Sequence, residues 1–380
     1  MARYAKAFGL LCLVFLLAVS VLVVVQVRLV SSASGASSAI AAENSWATRA
    51  PMHDARGGLG VAVVNGKIYA IGGSTQSGLY PPSILGGFVG TNEEYDPATD
   101  TWTAKASMPT PRSYFAVAVY QNKIYCIGGA IGTEKVDVVY SRFILSGANE
   151  VYDPATDTWE TAMPVPKAGM LVQAVVLSGK IYLIDGNLNE VYDPATDSWT
   201  IKAATPLSGD DLGSSGMNDY APAVVDNALY ILDESTRQLL TYDEVNDTWR
   251  QGTTLSLDIS DIAAGATTGV MAPKRIYFLC LLRGNNPQPT NQVYEPESDS
   301  WTVGSTIPTN RFDFGIAVVN DTLYAIGGYT LDIFPPGHYN GRVTASAVNE
   351  QYTPIGYGTV PPVVSVVSPE SNMTYAASDS

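Results

Sequence analysis

Between Gly60 and Gly328 short apolar runs alternate with tight polar turns, clearest in GVAVVNGKIYAIGG (Gly60–Gly73), FAVAVYQNKIYCIGG (Phe115–Gly129) and GIAVVNDTLYAIGG (Gly315–Gly328). Each reads as a β-hairpin, two runs rich in β-branched and aromatic residues joined by a turn built on Asn. Downstream, a second pattern returns as EYDPATDTW (ending at Trp102), EVYDPATDTW (Trp159) and EVYDPATDSW (Trp199), with looser copies YDEVNDTW (Trp249) and YEPESDSW (Trp301). In all five, Tyr precedes Trp by seven residues. A strand ending at Tyr, a turn opened by Asp-Pro and a strand carrying Trp form a second hairpin. Two hairpins make a four-stranded unit, and its recurrence marks a repeat architecture in which each unit buries a face its neighbour covers.

The residues at these spacings resemble the kelch repeat: an Arg ahead of the first strand, Gly-Gly ending the second, Tyr-Asp in the third and Trp in the fourth. The resemblance covers Trp46 to Tyr352 and implies an all-β fold, a six-bladed kelch-type β-propeller with blades ringed about a central channel. Successive tryptophans lie 56, 57, 40, 50 and 52 residues apart, close to the kelch period of about 50. Five blades are complete. The sixth is split: Arg311 to Tyr352 supplies three strands but no Trp follows in phase, whereas Trp46 has no Tyr-Asp before it. The strand around Trp46 is therefore expected to pair with the C-terminal blade and close the ring.

The repeats are unequal. Repeats one, two and six carry the double glycine and an Arg thirteen residues before the second-strand Tyr: Arg56, Arg112 and Arg311. Repeats three, four and five read IYLIDG, LYILDE and IYFLCLL, with Lys167 near the Arg position of repeat three. Antiparallel strands put the first-to-second and third-to-fourth turns on one face, where everything is expected to be tight. The second-to-third loops and blade connections emerge on the other. The long loops there, Ser74–Thr91, Ala130–Ala148 and Tyr329–Ala347, belong to neighbouring blades and carry Tyr80, Phe88, Tyr140, Phe143, Tyr329, Phe334 and Tyr339, an expected aromatic wall over the channel mouth. An acidic connection with Asp210, Asp211 and Asp219 stands across from it. The candidate ligand-binding residues are thus Arg56, Arg112 and Arg311 with Tyr80, Tyr140, Tyr329 and Tyr339. Converging guanidiniums are suited to a carboxylate or an acidic sugar, but the same arginines belong to the kelch pattern and can serve the fold alone.

Flanking sequence adds location. Arg3 and Lys6 precede an uncharged stretch, Ala7 to Val27, and Arg28 and a small-residue run follow. That stretch exceeds the core of a signal peptide and matches a bilayer span, and its flanking charge puts the propeller outside the cytoplasm. The expected organisation is a signal peptide or signal-anchor helix (1–28), a linker (29–43), the propeller (44–355), and a linker with the truncated start of an immunoglobulin-like module (356–380). The protein is expected to be extracytoplasmic, either secreted or anchored to the outer face of the cell membrane as a transmembrane protein. A net charge of −15 argues against nucleic acid and anionic membrane surfaces. Cys126 and Cys280 fall on opposite blades and are read as buried thiols rather than a disulfide.

Catalytic constellations are sparse. His53 and His338 are the sole histidines, no nucleophile elbow or zinc motif occurs, and the Asp185–Asn189 run is too short for a calcium loop. No metal or other cofactor is expected. His53 and His338 with Asp54 or Asp313 form a weaker metal-site alternative. The expected function is recognition of a carbohydrate or protein partner by the loop-rich face. Two alternatives stay open: an enzyme similar to kelch-type mutarotases of acidic sugars, its arginines gripping the carboxylate, or a structural surface spacer.

Overall fold

A computed structural model of the chain describes residues 42–80, 86–135, 141–170, 172–207, 220–284, 287–333 and 341–360. Six four-stranded antiparallel sheets form the blades of a propeller. With strands lettered a to d from the channel outwards, blade one is Gly60–Val64, Lys67–Ile71, Asn92–Asp96 and Thr101–Lys105. Blade two is Ala116–Tyr120, Lys123–Ile127, Asn149–Asp153 and Thr158–Ala162. Blades three, four and five begin with the inner strands Gln173–Leu177, Tyr220–Val225 and Ile259–Ala266 and repeat the order. Neighbouring inner strands touch all the way round, so the ring is closed.

Blade six is the split one. Gly315–Val319, Thr322–Ile326 and Asn349–Thr353 receive as their outer strand Ser45–Arg49 from the other end of the chain, with Trp46 opposite Tyr352. Their rings lie 5.1 Å apart. The Trp46 indole N–H donates to the Ser305 carbonyl of blade five at 2.8 Å, which stitches this blade to its neighbour as well.

The repeated Tyr, Asp and Trp explain why blades stack. In blades one to five the Tyr hydroxyl donates to the Asp five residues on: Tyr95 to Asp100, Tyr152 to Asp157, Tyr192 to Asp197 and Tyr242 to Asp247 at 2.6 Å, and Tyr294 to Asp299 at 2.8 Å. Each Asp sits in the left-handed region, φ 48 to 54°, which its short side chain tolerates by local bonding. The same oxygen accepts a backbone N–H from the preceding blade, at Ala50, Ala106, Met163 and Ala203 for the first four. The matching Trp donates to the carbonyl of that same residue. What the sequence presents as a turn motif is therefore also a blade-to-blade clamp.

The turn face departs from expectation in one blade. Residues 267–275 of blade five form a longer a–b connection, folded over Asp321, whose carboxylate accepts backbone N–H groups of Thr268, Val270, Met271 and Ala272. Cys126 and Cys280 are free and buried, and burial pushes both thiols up to about 12. The expectation of a transmembrane protein is corrected: no helix among the described residues is long and apolar enough to cross a membrane. The Ala7–Val27 stretch and the tail read as an immunoglobulin-like start beyond residue 360 lie outside the described residues.

Candidate functional site: the loop-rich face and the channel mouth

The three arginines do not form a shared anion site at the channel mouth. Each is enclosed in its own blade, with exposures of 0, 0 and 1 % for Arg56, Arg112 and Arg311. Each donates from Nη1 to a glutamate at the start of strand c, Glu93, Glu150 and Glu350 respectively. Nη2 donates to a strand-b carbonyl, that of Ala70, Cys126 or Ala325. A guanidinium held by a buried carboxylate and a carbonyl has its charge already matched, which is why these side chains can be buried at all. Burial alone would raise Glu93, but the Arg56 charge and the His53 hydrogen bonds hold it below the usual carboxylate range. His53 is thereby spoken for, its Nδ1 2.6 Å from Glu93. His338 lies outside the described residues, and no cluster of three or more metal-ligating side chains occurs among those described.

Blade three breaks this pattern. The Gly73 and Gly328 amides donate to the carbonyls of Arg56's and Arg112's repeat position (Gly73 to Arg112, Gly328 to Arg56), and Gly129 donates in the same way to Gly169. Gly169 therefore stands where the arginine would, and Lys167 does not replace it. A Cβ there would come 2.6 Å from Asp185 Oδ2, so Asp185 has moved into the space. Glu190, the counterpart of Glu150, is 2 % exposed with Oε2 lacking a hydrogen-bond partner. Burial and then the Asp185 charge push it up to about 7, against the pull of Lys167.

On the loop-rich face the long insertions of blades six and one combine. Tyr329–Ile333 pairs with Gly341–Ala345, which pairs in turn with Gly78–Tyr80 of blade one, giving one three-stranded sheet across the seam. Beside it stands the blade-two hairpin Ala130–Lys135 and Ser141–Leu145. Tyr80 lies in the shared sheet, opposite Gly341. Tyr140, Tyr339, Phe334, Asp210, Asp211 and Asp219 lie outside the described residues. Tyr329 is no part of a surface wall: at 2 % exposure it is wedged into the seam, its hydroxyl donating to the Ser74 carbonyl at 3.2 Å. Its ring fills the space in which a Cβ on Gly57 would stand, 2.3 Å away, so residue 57 has to be glycine.

At the channel mouth the structure assembles residues that were not among the expected ligand-binding set. At one equivalent position the chain turns through the left-handed region in four blades, just ahead of strand a at Gly58 (φ 58°), Tyr114 (57°) and Asp313 (52°), and at a bulge within strand a of blade five at Asp261 (53°). Backbone bonds link three of them into a collar, Gly58 N–H to the Asp313 carbonyl and Tyr114 N–H to the Gly58 carbonyl, both 2.9 Å. Glycine is what this conformation favours, and a bulky Tyr there is strained. The Tyr114 hydroxyl donates to Asp313 Oδ2 at 3.0 Å, while Asp313 Oδ1 has no partner. Burial, then the nearby Asp261 charge, push Asp313 up to about 8. Collar and channel together line a cavity of about 200 Å³ that includes Gly58, Tyr114, Phe115, Gln173, Asp313 and Phe314. Aligning Arg-Gly-Gly, Arg-Ser-Tyr and Arg-Phe-Asp across repeats is the signal that would have exposed this position in the sequence.

Residues 55–109 and 111–141 match the family model described as Kelch motif. Among curated proteins the chain is 32 % identical over 146 residues to Beta-scruin of Limulus polyphemus, covering 38 % of this chain and 14 % of that protein. It is 24 % identical over 287 residues to Kelch-like protein 15 of Homo sapiens, covering 74 % and 40 %. The chain thus spans less than half the length of these curated relatives. Among solved structures, that of YjhT superposes with a TM-score of 0.56 at 15 % identity over 78 % of this chain and 96 % of that one, a likeness of fold alone. With six Tyr-Trp blades, three Arg–Glu clamps and a ring closed by its first strand, the chain contains a kelch-repeat β-propeller domain.

Proposed function

We propose that the propeller is a recognition module whose loop-rich face binds a protein or carbohydrate partner outside the cytoplasm. The observation that carries this reading is the sheet shared by blades six and one, flanked by the blade-two hairpin. Insertions from neighbouring blades stand on a rigid ring, where binding residues concentrate. The opposite face is tied up in turn-to-turn hydrogen bonds. Location outside the cytoplasm is supported by the basic residues ahead of the uncharged Ala7–Val27 stretch.

The test is a glycan array and a panel of purified surface proteins probed with the parent chain. A variant with 131–144 and 331–344 replaced by Gly-Ser linkers is probed beside it. Any partner found is expected to be lost in the variant with little change in melting temperature. A partner bound equally well by both overturns the reading.

A second reading, a mutarotase, is favoured by one observation: Asp313 and Tyr114 form a hydrogen-bonded acid and phenol at a cavity mouth, the kind of pair that moves a proton to or from a sugar ring oxygen. The arginines, already engaged by glutamates, leave an acidic sugar without the grip expected for it. NMR exchange between anomers of neutral and acidic sugars tests this, and rates unchanged by the protein would end it.

A further inference from the structure

The Asp313 carboxylate accepts one hydrogen bond in the fold, from the Tyr114 hydroxyl. The clamps that hold the blades use other residues, its Oδ1 is buried without a partner, and the residue lines a cavity whose accessible wall is mainly polar, with Val61, Phe115, Ala174 and Phe314 supplying the apolar part. The residue is 7 % exposed. A buried carboxylate atom without a partner is destabilising, and the left-handed backbone adds to that cost. Asp261, a residue 7 % exposed, brings a second carboxylate close enough for its charge to act on the first. The groups acting on Asp313 are burial, Asp261 and the Tyr114 hydroxyl, and Tyr329 lies close enough to feel its charge. No cation figures among them.

We propose that the channel mouth is a socket for one basic side chain of a protein partner, a guanidinium or ammonium group received by Asp313 with Asp261 as the second carboxylate and the Tyr114 hydroxyl beside them. This rests on the loop-face reading and narrows its partner to a protein. A guanidinium offers donors in a planar fork, matching two neighbouring carboxylates better than any neutral hydroxyl can. Above the collar, Phe143 stands edge-on to Tyr114 at 6.3 Å, where the aliphatic stem of a Lys or Arg would pass. The net charge of −15 draws basic partners toward the face by long-range attraction.

Asp313 holds its proton to about pH 8, so a bound cation must displace it. Affinity is therefore expected to rise about tenfold per pH unit up to pH 8 and then level.

The probe is N-acetyl-arginine amide, titrated into the full chain by calorimetry between pH 6 and 9, with the neutral isostere N-acetyl-citrulline amide as control. The arginine amide should bind with that pH profile and the citrulline amide should not. Asp313→Asn, which keeps a residue tolerant of the left-handed region, should weaken binding at least tenfold at pH 8.5 without lowering the melting temperature. Should that variant fail to fold, Tyr114→Phe decides. It removes a hydrogen bond that lowers the Asp313 pKa, so the binding step should move to higher pH. Equal binding of citrulline amide or of a neutral oligosaccharide, absence of binding at pH 8.5, or a profile unmoved by Tyr114→Phe overturns the socket. If partner binding survives Asp313→Asn but fails when the loops are replaced, the socket is wrong and the loop-face reading stands.

Discussion

Blades one, two and six differ from blades three, four and five in one linked set of residues. In the first group an Arg ahead of strand a meets a Glu two residues before the strand-c Tyr: Arg56 with Glu93, Arg112 with Glu150, Arg311 with Glu350. In the second group the Arg is gone, and the Glu position is Leu240 in blade four and Gln292 in blade five. Base and acid have been lost together, as the cost of leaving either buried alone requires. Blade three is the exception, keeping Glu190 opposite Gly169. The half of the ring with intact pairs is also the half bearing the long insertions. A buried pair that ties strand c and the entry of strand a to a strand-b carbonyl holds those strand ends in place just where each insertion leaves. The comparison suggests that the clamp serves the loops, and the experiments below set one half of the ring against the other.

The largest effect is expected at the seam of the intact half. Deleting 43–52 removes the outer strand of blade six, with Trp46, the Asn44 bonds to Ser305 and Tyr352, and buried Met52. The exposed edge invites aggregation, and the loss should consume most of a domain stability on the order of 5–15 kcal/mol. A urea melt matching that of the parent would show that the ring does not depend on this strand.

Next comes a paired substitution across the two halves. Glu150→Gln leaves the Arg112 guanidinium, 0 % exposed, without its counter-charge, and should cost about 3–5 kcal/mol. Glu190→Gln removes a carboxylate that has no guanidinium to meet, so at pH 8 it should be neutral or stabilising. Like effects of the two substitutions in chemical denaturation would dissolve the distinction between the halves.

The same contrast has a pH signature. Glu190 is raised from its ordinary 4.5 to about 7, so the fold binds its proton more tightly than the unfolded chain does. Its contribution to stability is complete below about pH 4.5 and is lost as pH rises through 7, at most about 3 kcal/mol. Asp313 acts in the same direction and extends the loss to about pH 8. The clamp aspartates Asp100, Asp157, Asp197 and Asp247, lowered chiefly by their Tyr hydrogen bonds, act oppositely and only as pH falls below the ordinary Asp range. The melting temperature should therefore decline between pH 5 and 8, and less steeply in Glu190→Gln. A flat profile in the parent chain would mean that Glu190 has found a partner.

The blade count, the split blade and the strand order were legible because Tyr, Asp, Trp and Gly-Gly sit at fixed offsets, and strand geometry turns offsets into register. The fate of the arginines was less so. Their partners lie 37 to 39 residues away in sequence, although the Glu before Val-Tyr-Asp recurs in the motif and is replaced in blades four and five. The collar was hidden for a different reason. Its shared property is a backbone conformation, adopted by residues as unlike as Gly58, Tyr114 and Asp313, and no pattern of polarity reports it. Lys167 misled by charge, for only the hydrogen bond accepted by the Gly169 carbonyl places the repeat correctly.

The smallest effect should come from the turn face. The sequons at Asn246 and Asn320 fall in the c–d turn of blade four and the a–b turn of blade six, and both residues are exposed. A continuous path joins them: Asp321 to the 268–272 backbone, Lys274 to Asp226, Asn227 to Ser178 and Ser178 to Glu244. Every link is a turn on the same side of the ring, so both asparagines lie on the side away from the insertions. Glycans attached there by a host that recognises Asn-x-Thr should leave the melting temperature and any loop-face binding essentially unchanged. The same addition engineered beside the blade-two hairpin, by Ile131→Asn with Thr133 completing the sequon, should block binding in full. Mass spectrometry to confirm occupancy and one binding isotherm for each form decide the matter. Loss of binding on modifying Asn246 or Asn320 would put the working surface on the turn side, and the half-ring of insertions would lose its claim to function.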